Sequence, residues 1–426
     1  MKKLFIVALF VPLFGSNLNE LINYALKNSN VIKKAKTQIE ISRLKQKEAK
    51  SKRFGELDVV ASYNHYNIER TLAPLPPSAM KTGEYIVTSK NIYSIGLNYS
   101  VPLFTGYAQT QDIKIQDIAK RLAYAKLKLT KEEIVYNIKS LYLSILSLKD
   151  MLSAQNNYIK ALRKLKNQIS YEVELGRKAA IDEIKAEADI EEAVANKEAI
   201  SANIEILKAS LSSLVGKKVR RVSPIKVKVS RYVPSTKKLL RKAENLNKIR
   251  VKDLNIQKSR QLIKKSRAKE YPQVNLNIYA DKNFGKDINL DKWDNENISQ
   301  ISLNMKYNIA DFGASKAKVE QAKVAKLQAK IDRAQTLLDL KKDIIKARAQ
   351  IKADYATYRA SLKRYKLTKK AQYIEQVRYE SDASTINDLL LANAKTLLAR
   401  AKVIESKYSY QKSRYFLDYV MEKGVK

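Results

Sequence analysis

Helix breakers are nearly absent from most of this chain. No proline lies between Pro102 and Pro224 or after Pro272, and no glycine between Gly106 and Gly176 or between Gly313 and Gly424. Proline and glycine are the usual terminators of a helix, so intervals this long permit helices of unusual length. One run extends from Gly106 to about Leu175, the other from Gly313 to about Ser381. At 1.5 Å per residue, ~69 residues make about 100 Å of helix or stacked helices, as a rod or duct crossing a gap requires. In the second run Val324, Leu327, Ile331, Ala334 and Leu338 step by three and four. Ile351, Tyr355, Tyr358, Leu362 and Tyr365 resume the pattern after a register shift. Ala322, Ala325 and Ala329 line a neighbouring stripe, which suits a helix packed on two sides, as in a closed helical cylinder. A plain long coiled coil satisfies the same spacing.

Against this helical background two stretches have the period of a strand. In "SIGLNYSVPLFTG" (94–106), Ile95, Leu97, Tyr99, Val101 and Leu103 alternate with Ser94, Gly96, Asn98, Ser100 and Pro102. In "QISLNMKYNIADFG" (300–313), Ile301, Leu303, Met305, Tyr307 and Ile309 alternate with Ser302, Asn304, Lys306 and Asn308. Each is preceded by another alternating segment, from Leu57 in the first half and from Val274 in the second. Four strands of about ten to twelve residues have the length of tilted outer-membrane strands. Four cannot close a barrel, and an open edge in lipid leaves backbone groups unpaired at several kcal/mol each. Oligomerisation follows as an expectation, with three copies giving twelve strands.

Laid over one another at an offset of about 206 residues, the two halves match feature for feature. The expected organisation is a signal peptide over 1–16 and a first repeat over 17–216, comprising a helix, a β-hairpin (57–104) and a helical hairpin (106–216). A linker or equatorial segment follows (217–245). The second repeat (246–426) again has a helix, a β-hairpin (273–310) and a helical hairpin (313–424). The fold class expected is mainly α with a small β part. "MKKLFIVALFVPLFGS" supplies two lysines, an apolar run from Leu4 to Phe14, and then Gly15 and Ser16. That is signal-peptide order, although Phe14 stands at −3 for a cut after Ser16, and a buried N-terminal helix is the alternative.

Composition removes several functions. Without cysteine there is no disulfide framework or thiolate metal site, and one histidine, His65, leaves no His-based triad or multi-histidine metal site. No phosphate-binding glycine loop occurs. Carboxylate pairs such as Glu191 and Glu192 fall on solvated helix faces, so no enzyme, cofactor or metal is expected. The formal charge of +39 raises an alternative, a basic coiled-coil scaffold for nucleic acid or another polyanion. The lysines are spread along the chain, which favours solvated helix faces and no nucleic acid.

The duplicated plan, the turns "PLFTG" and "ADFG", Tyr271-Pro272 before a strand, and two helix-turn-helix tips together resemble the TolC-like outer membrane efflux proteins. The tips are "YEVELGRKAAIDEIKAEA" (171–188) and "RYESDASTINDLLLANA" (378–394). In each, a left-handed position, Gly176 or Asp382, is followed six residues later by Asp182 or Asp388, in the first turn of the return helix. Capping that helix is one reading of both aspartates. The resemblance covers essentially the whole chain after the signal peptide. It implies a trimeric twelve-stranded outer-membrane β-barrel continuing into a periplasmic α-helical barrel. Such a duct lies in outer-membrane lipid and serves inner-membrane transporters, in efflux or type I secretion, through a periplasmic adaptor protein. Drugs, metal ions and polypeptides share such ducts, so the likeness names no cargo. By the same resemblance Asp388 matches a ring aspartate of the periplasmic constriction, and Tyr379 and Asp182 match partners of a gate hydrogen bond. The family's second ring aspartate falls at Leu391 and its gate arginine at Ser384. Adaptor contact would fall on Leu175, Gly176 and Arg177, and on Ser381, Asp382 and Ala383.

Overall fold

A computed structural model describes residues 17–78, 81, 83 and 85–425; the signal-peptide segment lies outside them. Helices α1 (Leu18–Asn28) and α2 (Asn30–Ser51) lead into strands β1 (Glu56–Thr71) and β2 (Thr88–Thr105). Then come α3 (Ala108–Glu174), α4 (Ala180–Val215), the short α5 (Thr236–Ala243) and α6 (Asn247–Ser266). Strands β3 (Gln273–Lys286) and β4 (Trp293–Lys306) precede α7 (Ala314–Glu380) and α8 (Ile386–Val420). The two longest helices have 67 residues each, in the intervals that lack breakers. Among the described residues no helix is long and apolar enough to cross a membrane.

The chain folds as two compact units, each drawing on both halves of the sequence. One holds residues 38–124 and 251–333. Its strands form a single antiparallel sheet in the order β1-β2-β3-β4. Register sorts the side chains into two faces. Leu57, Tyr99, Ile278 and Ile301 lie in one row across all four strands, and Val101, Leu276 and Leu303 in the next. Rows of the opposite face read Glu56, Ser100, Asn277 and Ser302, then Asp58, Asn98, Tyr279 and Gln300. The apolar face is uncovered: Leu57, Ile301 and Leu303 are each about two-thirds exposed or more. Such a face persists only against lipid or another apolar layer.

Aromatic side chains bracket the apolar rows of the sheet. Toward the loop side Tyr63 meets Tyr93 at 4.8 Å between ring centroids and Tyr93 meets Trp293 at 5.7 Å, both tilted. At the other end Tyr107 meets Phe104 at 5.1 Å and Tyr271 at 5.7 Å, both edge-on. A bulge between Pro102 and Phe104 shifts the register and returns Phe104 to the apolar face, beside Val274. Pro102, lacking an N–H, is tolerated beside such an irregularity. Tyr93 and Phe104 are eleven residues apart on β2; at ~3.4 Å per residue and a ~45° tilt that is about 26 Å, close to the apolar band of an outer-membrane barrel.

The strands differ in extent from the alternation. β1 and β2 run 16 and 18 residues, beyond the ten to twelve expected, because the ladder continues toward the loop as far as Thr71 opposite Thr88. β4 stops at Lys306, although the alternation runs on to Ile309. Lys306 pairs with Gln273, the first residue of β3, and Pro272 before it has no N–H to extend the ladder. Both strand-to-helix turns are left-handed, at Gly106 and Tyr107 (φ 59° and 69°) and at Phe312 and Gly313 (φ 50° and 94°). A Cβ on Gly106 would lie 2.1 Å from the Ala268 carbonyl oxygen, so the "PLFTG" glycine is required by space as well as by φ. The helix segments of this unit are tied in sheet order. Gln46 of α2 donates to Asp117 of α3 (3.1 Å), Lys265 of α6 to Asp112 of α3 (2.6 Å), and Arg333 of α7 to Asp253 of α6 (2.6 Å).

The second unit comprises residues 17–37 of the described chain with 125–250 and 334–425. One core gathers Leu18, Ile32, Val135, Ile138, Tyr142, Leu211 and Val219. Another gathers Leu239, Ile249, Ile344, Ile351, Tyr410 and Leu417. The segment expected as a linker or equatorial segment (217–245) packs on both cores and carries the helix α5, capped by Ser235. A third core sits at the two helical turns.

The sheet faces make a paired prediction. Leu303→Lys, on the apolar face, should cost about 2–4 kcal/mol and lower the folded yield in the outer-membrane fraction. Asn304→Lys, one residue on and on the polar face, should leave that yield near wild type.

Candidate functional site

The two helical turns share one backbone design. At the first, Gly176 N–H donates to the Val173 carbonyl (2.9 Å) and Arg177 N–H to the Glu172 carbonyl (2.8 Å). At the second, Asp382 N–H donates to the Tyr379 carbonyl (3.2 Å) and Ala383 N–H to the Arg378 carbonyl (2.7 Å). Each is a Schellman arrangement around one left-handed residue, Gly176 at φ 70° and Asp382 at φ 55°. Aspartate tolerates that region better than most residues with a Cβ, and glycine without cost. Leu175, Gly176, Arg177, Ser381, Asp382 and Ala383 are all exposed.

The return helices start differently. Thr385 caps α8 in a reciprocal box. Its hydroxyl donates to the Asp388 carboxylate (2.7 Å) and accepts from Asp388 N–H (3.3 Å), while Thr385 N–H donates to the same carboxylate (3.3 Å). These bonds from Thr385 hold the Asp388 carboxyl below its ordinary value. α4 has no side-chain cap at Ala179 and instead carries Asp182 and Glu183 in its first turn, where the dipole favours carboxylates.

Beneath the turns lies an apolar cluster drawn from both hairpins. Ile159, Leu162, Ile169, Ala186 and Ile190 of the first pack with Tyr379, Ile386 and Leu389 of the second. Tyr379 is 5% exposed, and its hydroxyl has no hydrogen-bond partner among the described residues. Burial, with the nearby charges of Asp182, Glu172 and Asp382, pushes the phenol up to about 12. Asp182 is thus near enough to act on Tyr379, but no hydrogen bond joins the two. The Ser384 hydroxyl is also buried and unpartnered among the described residues.

A residue that sequence reasoning passed over joins the two tips. Lys178, two positions beyond Gly176, forms an ion pair with Asp382. Its ammonium stands 4.4 Å over the Tyr379 ring and 3.5 Å from the Tyr379 carbonyl oxygen. Its side chain is only 12% exposed, against 77% for Asp382. One cation therefore satisfies a ring, a carbonyl and a carboxylate of the other hairpin. No local pattern marks Lys178, because its partners lie about two hundred residues away.

An uncovered apolar sheet face bracketed by aromatic rings is what outer-membrane strands present to lipid. The family model for outer membrane efflux proteins matches residues 21–217 and 241–419. The chain belongs to the outer membrane efflux protein family. Its fold is shared with the CmeC outer membrane channel of Campylobacter jejuni, at 18% identity over 96% of this chain and 86% of that one, TM-score 0.78. The outer membrane protein VceC of Vibrio cholerae is similar at 17% identity, 95% and 96% coverage and TM-score 0.76. The open-state MtrE outer membrane channel of Neisseria gonorrhoeae is similar at 16% identity, 96% and 89% coverage and TM-score 0.76. No curated protein matches the sequence significantly. This efflux protein is an outer-membrane channel extending into the periplasm, of a family of ducts and not of enzymes. Nothing in these matches supports the polyanion-binding scaffold. Channels of the family form trimers and work with adaptor proteins and inner-membrane pumps.

Lys178→Met keeps the stem in the apolar cluster and removes the charge. It should loosen the tips by about 1–2 kcal/mol, read as faster hydrogen exchange in residues 171–188 and 378–394 with no change elsewhere.

Proposed function

We propose that three copies of this efflux protein close a twelve-stranded barrel and a helical barrel around one axis, forming a passive exit duct. Cargo would be handed over by an inner-membrane transporter through a periplasmic adaptor, in efflux or type I secretion. One observation carries the assembly: β1 and β4 are each paired on one side only. In lipid such edges leave N–H and C=O groups unsatisfied, so a partner edge is required. The edge helices support the same reading. On α7, Val324, Leu327 and Ile331 are 64%, 57% and 60% exposed, and on α2, Ile41 and Leu44 are 44% and 53% exposed. Apolar stripes on the two outermost helices suit heterologous packing of each copy on the next.

In this reading the exposed turns at Leu175, Gly176 and Arg177 and at Ser381, Asp382 and Ala383 meet the adaptor. Asp388, Asp182 and Tyr379 belong to the gate at the periplasmic mouth. Three Asp388 carboxylates brought close around the axis would repel one another, a state eased by a bound cation or by partial protonation. The capping box is compatible with that role, since Asp388 remains exposed while it caps.

The assembly predicts an obligate trimer in detergent. Light scattering should give the trimer mass throughout, and a monodisperse folded monomer would contradict the assembly. For the gate, Asp388→Asn should weaken cation selectivity and block by multivalent cations in planar-bilayer recordings, with the trimer intact. An unchanged single-channel record would leave Asp388 as a cap alone.

A further inference from the structure

The spread of lysine over the whole chain hides one concentration. Between Lys217 and Asn245 stand eleven lysines and arginines against a single carboxylate, Glu244. The segment lies in the second compact unit, on the helical hairpins and not with the sheet. Its inward residues are apolar. Val219, Val222, Ile225 and Val227 pack on one core, and Val229, Val233, Leu239 and Leu240 on the next. Its backbone is held by two buried tyrosines and a half-buried arginine. The Tyr142 hydroxyl donates to the Ser223 carbonyl (2.6 Å), the Tyr410 hydroxyl to the Ser230 carbonyl (2.7 Å), and the Arg348 guanidinium to the Pro234 carbonyl (2.8 Å).

The outward residues are cationic: Arg220, Arg221, Lys226, Lys228, Arg231 and Lys237 are exposed. None of these six forms an ion pair among the described residues. Alternate residues of an extended chain face the same way about 6.6 Å apart, so Lys226 and Lys228 present a row of charge from a fixed ribbon.

We infer that this ribbon is a docking site for the carboxylate-bearing peptides of the periplasmic cell wall, and that it anchors the duct in peptidoglycan. The charge calls for a polyanion, and the family's setting for the helical part is the periplasm, whose polymer is peptidoglycan. Protein interfaces are depleted in lysine and built around buried aromatic or aliphatic anchors. The outward face here is lysine and arginine, with Tyr232 its one large ring. That composition suits a hydrated, repetitively charged polymer better than a packed protein partner. Three ribbons around a trimer would bind one network together, so weak individual contacts add as avidity.

The test uses the purified full-length protein in detergent, cosedimented with isolated peptidoglycan sacculi. Binding should fall steeply between ~50 and ~500 mM salt, as for any site that displaces counterions. The triple variant Lys226→Gln, Lys228→Gln, Arg231→Gln should lose at least about tenfold in binding, as should sacculi whose carboxylates are amidated. A second triple variant, Lys237→Gln, Lys238→Gln, Arg241→Gln on α5, tests the same ribbon should the first fail to assemble. Wild-type binding retained by an assembled variant or by amidated sacculi overturns the inference. Absence of wild-type cosedimentation at ~50 mM salt also overturns it, as does equal or tighter binding to phosphatidylglycerol vesicles through these residues. The inference rests on the duct reading, which trimer mass and bilayer conductance measure separately, so either can fail without the other.

Discussion

Unpaired backbone at the edges of the sheet is the constraint on which the rest of this structure depends. Lipid offers no hydrogen bonds, so a strand edge facing it leaves each N–H and C=O unsatisfied. The order β1-β2-β3-β4 leaves two such edges on a face that is apolar between aromatic ends. No rearrangement within one chain removes them, because four strands are too few to close. The same repeat that supplies two hairpins places a helix before and after each, so in the proposed trimer closing the sheet would also bring the outermost helices of adjacent copies together. Sheet closure and helix packing are therefore one event in this account.

At the tips the balance is different. The Schellman turns satisfy their own carbonyls, and the caps their own N–H groups, so each hairpin end is locally complete. What holds the hairpins to one another is an apolar cluster with one cation over it, Lys178 on the ring, carbonyl and carboxylate of the second tip. The unpartnered Tyr379 and Ser384 hydroxyls mark where polar pairing is incomplete. Contacts of this modest strength would suit the proposed gate, since local opening draws on the least stable parts of a fold.

Most of the architecture was legible in local sequence. The long helices follow from missing breakers, the strands from period-2 alternation, and the left-handed tips from Gly176 and Asp382. Strand length was less legible. Alternation up to Ile309 predicts side-chain facing, whereas a strand ends where its partner does, at the Gln273–Lys306 pair. The tip carboxylates were legible as first-turn residues, since position along a helix decides that. Lys178 was not, because its role depends on a partner in the other half of the chain. The basic ribbon was diluted by averaging charge over all 426 residues, and it emerged only when burial separated its valine side from its lysine side.

The most direct test of the central claim is single-particle imaging of the detergent-extracted protein. Closure of four-stranded sheets edge to edge predicts three-fold particles in which β1 of each copy pairs with β4 of the next, around a continuous barrel. Particles holding one copy, or a sheet whose edges stay unpaired in the detergent belt, would contradict it.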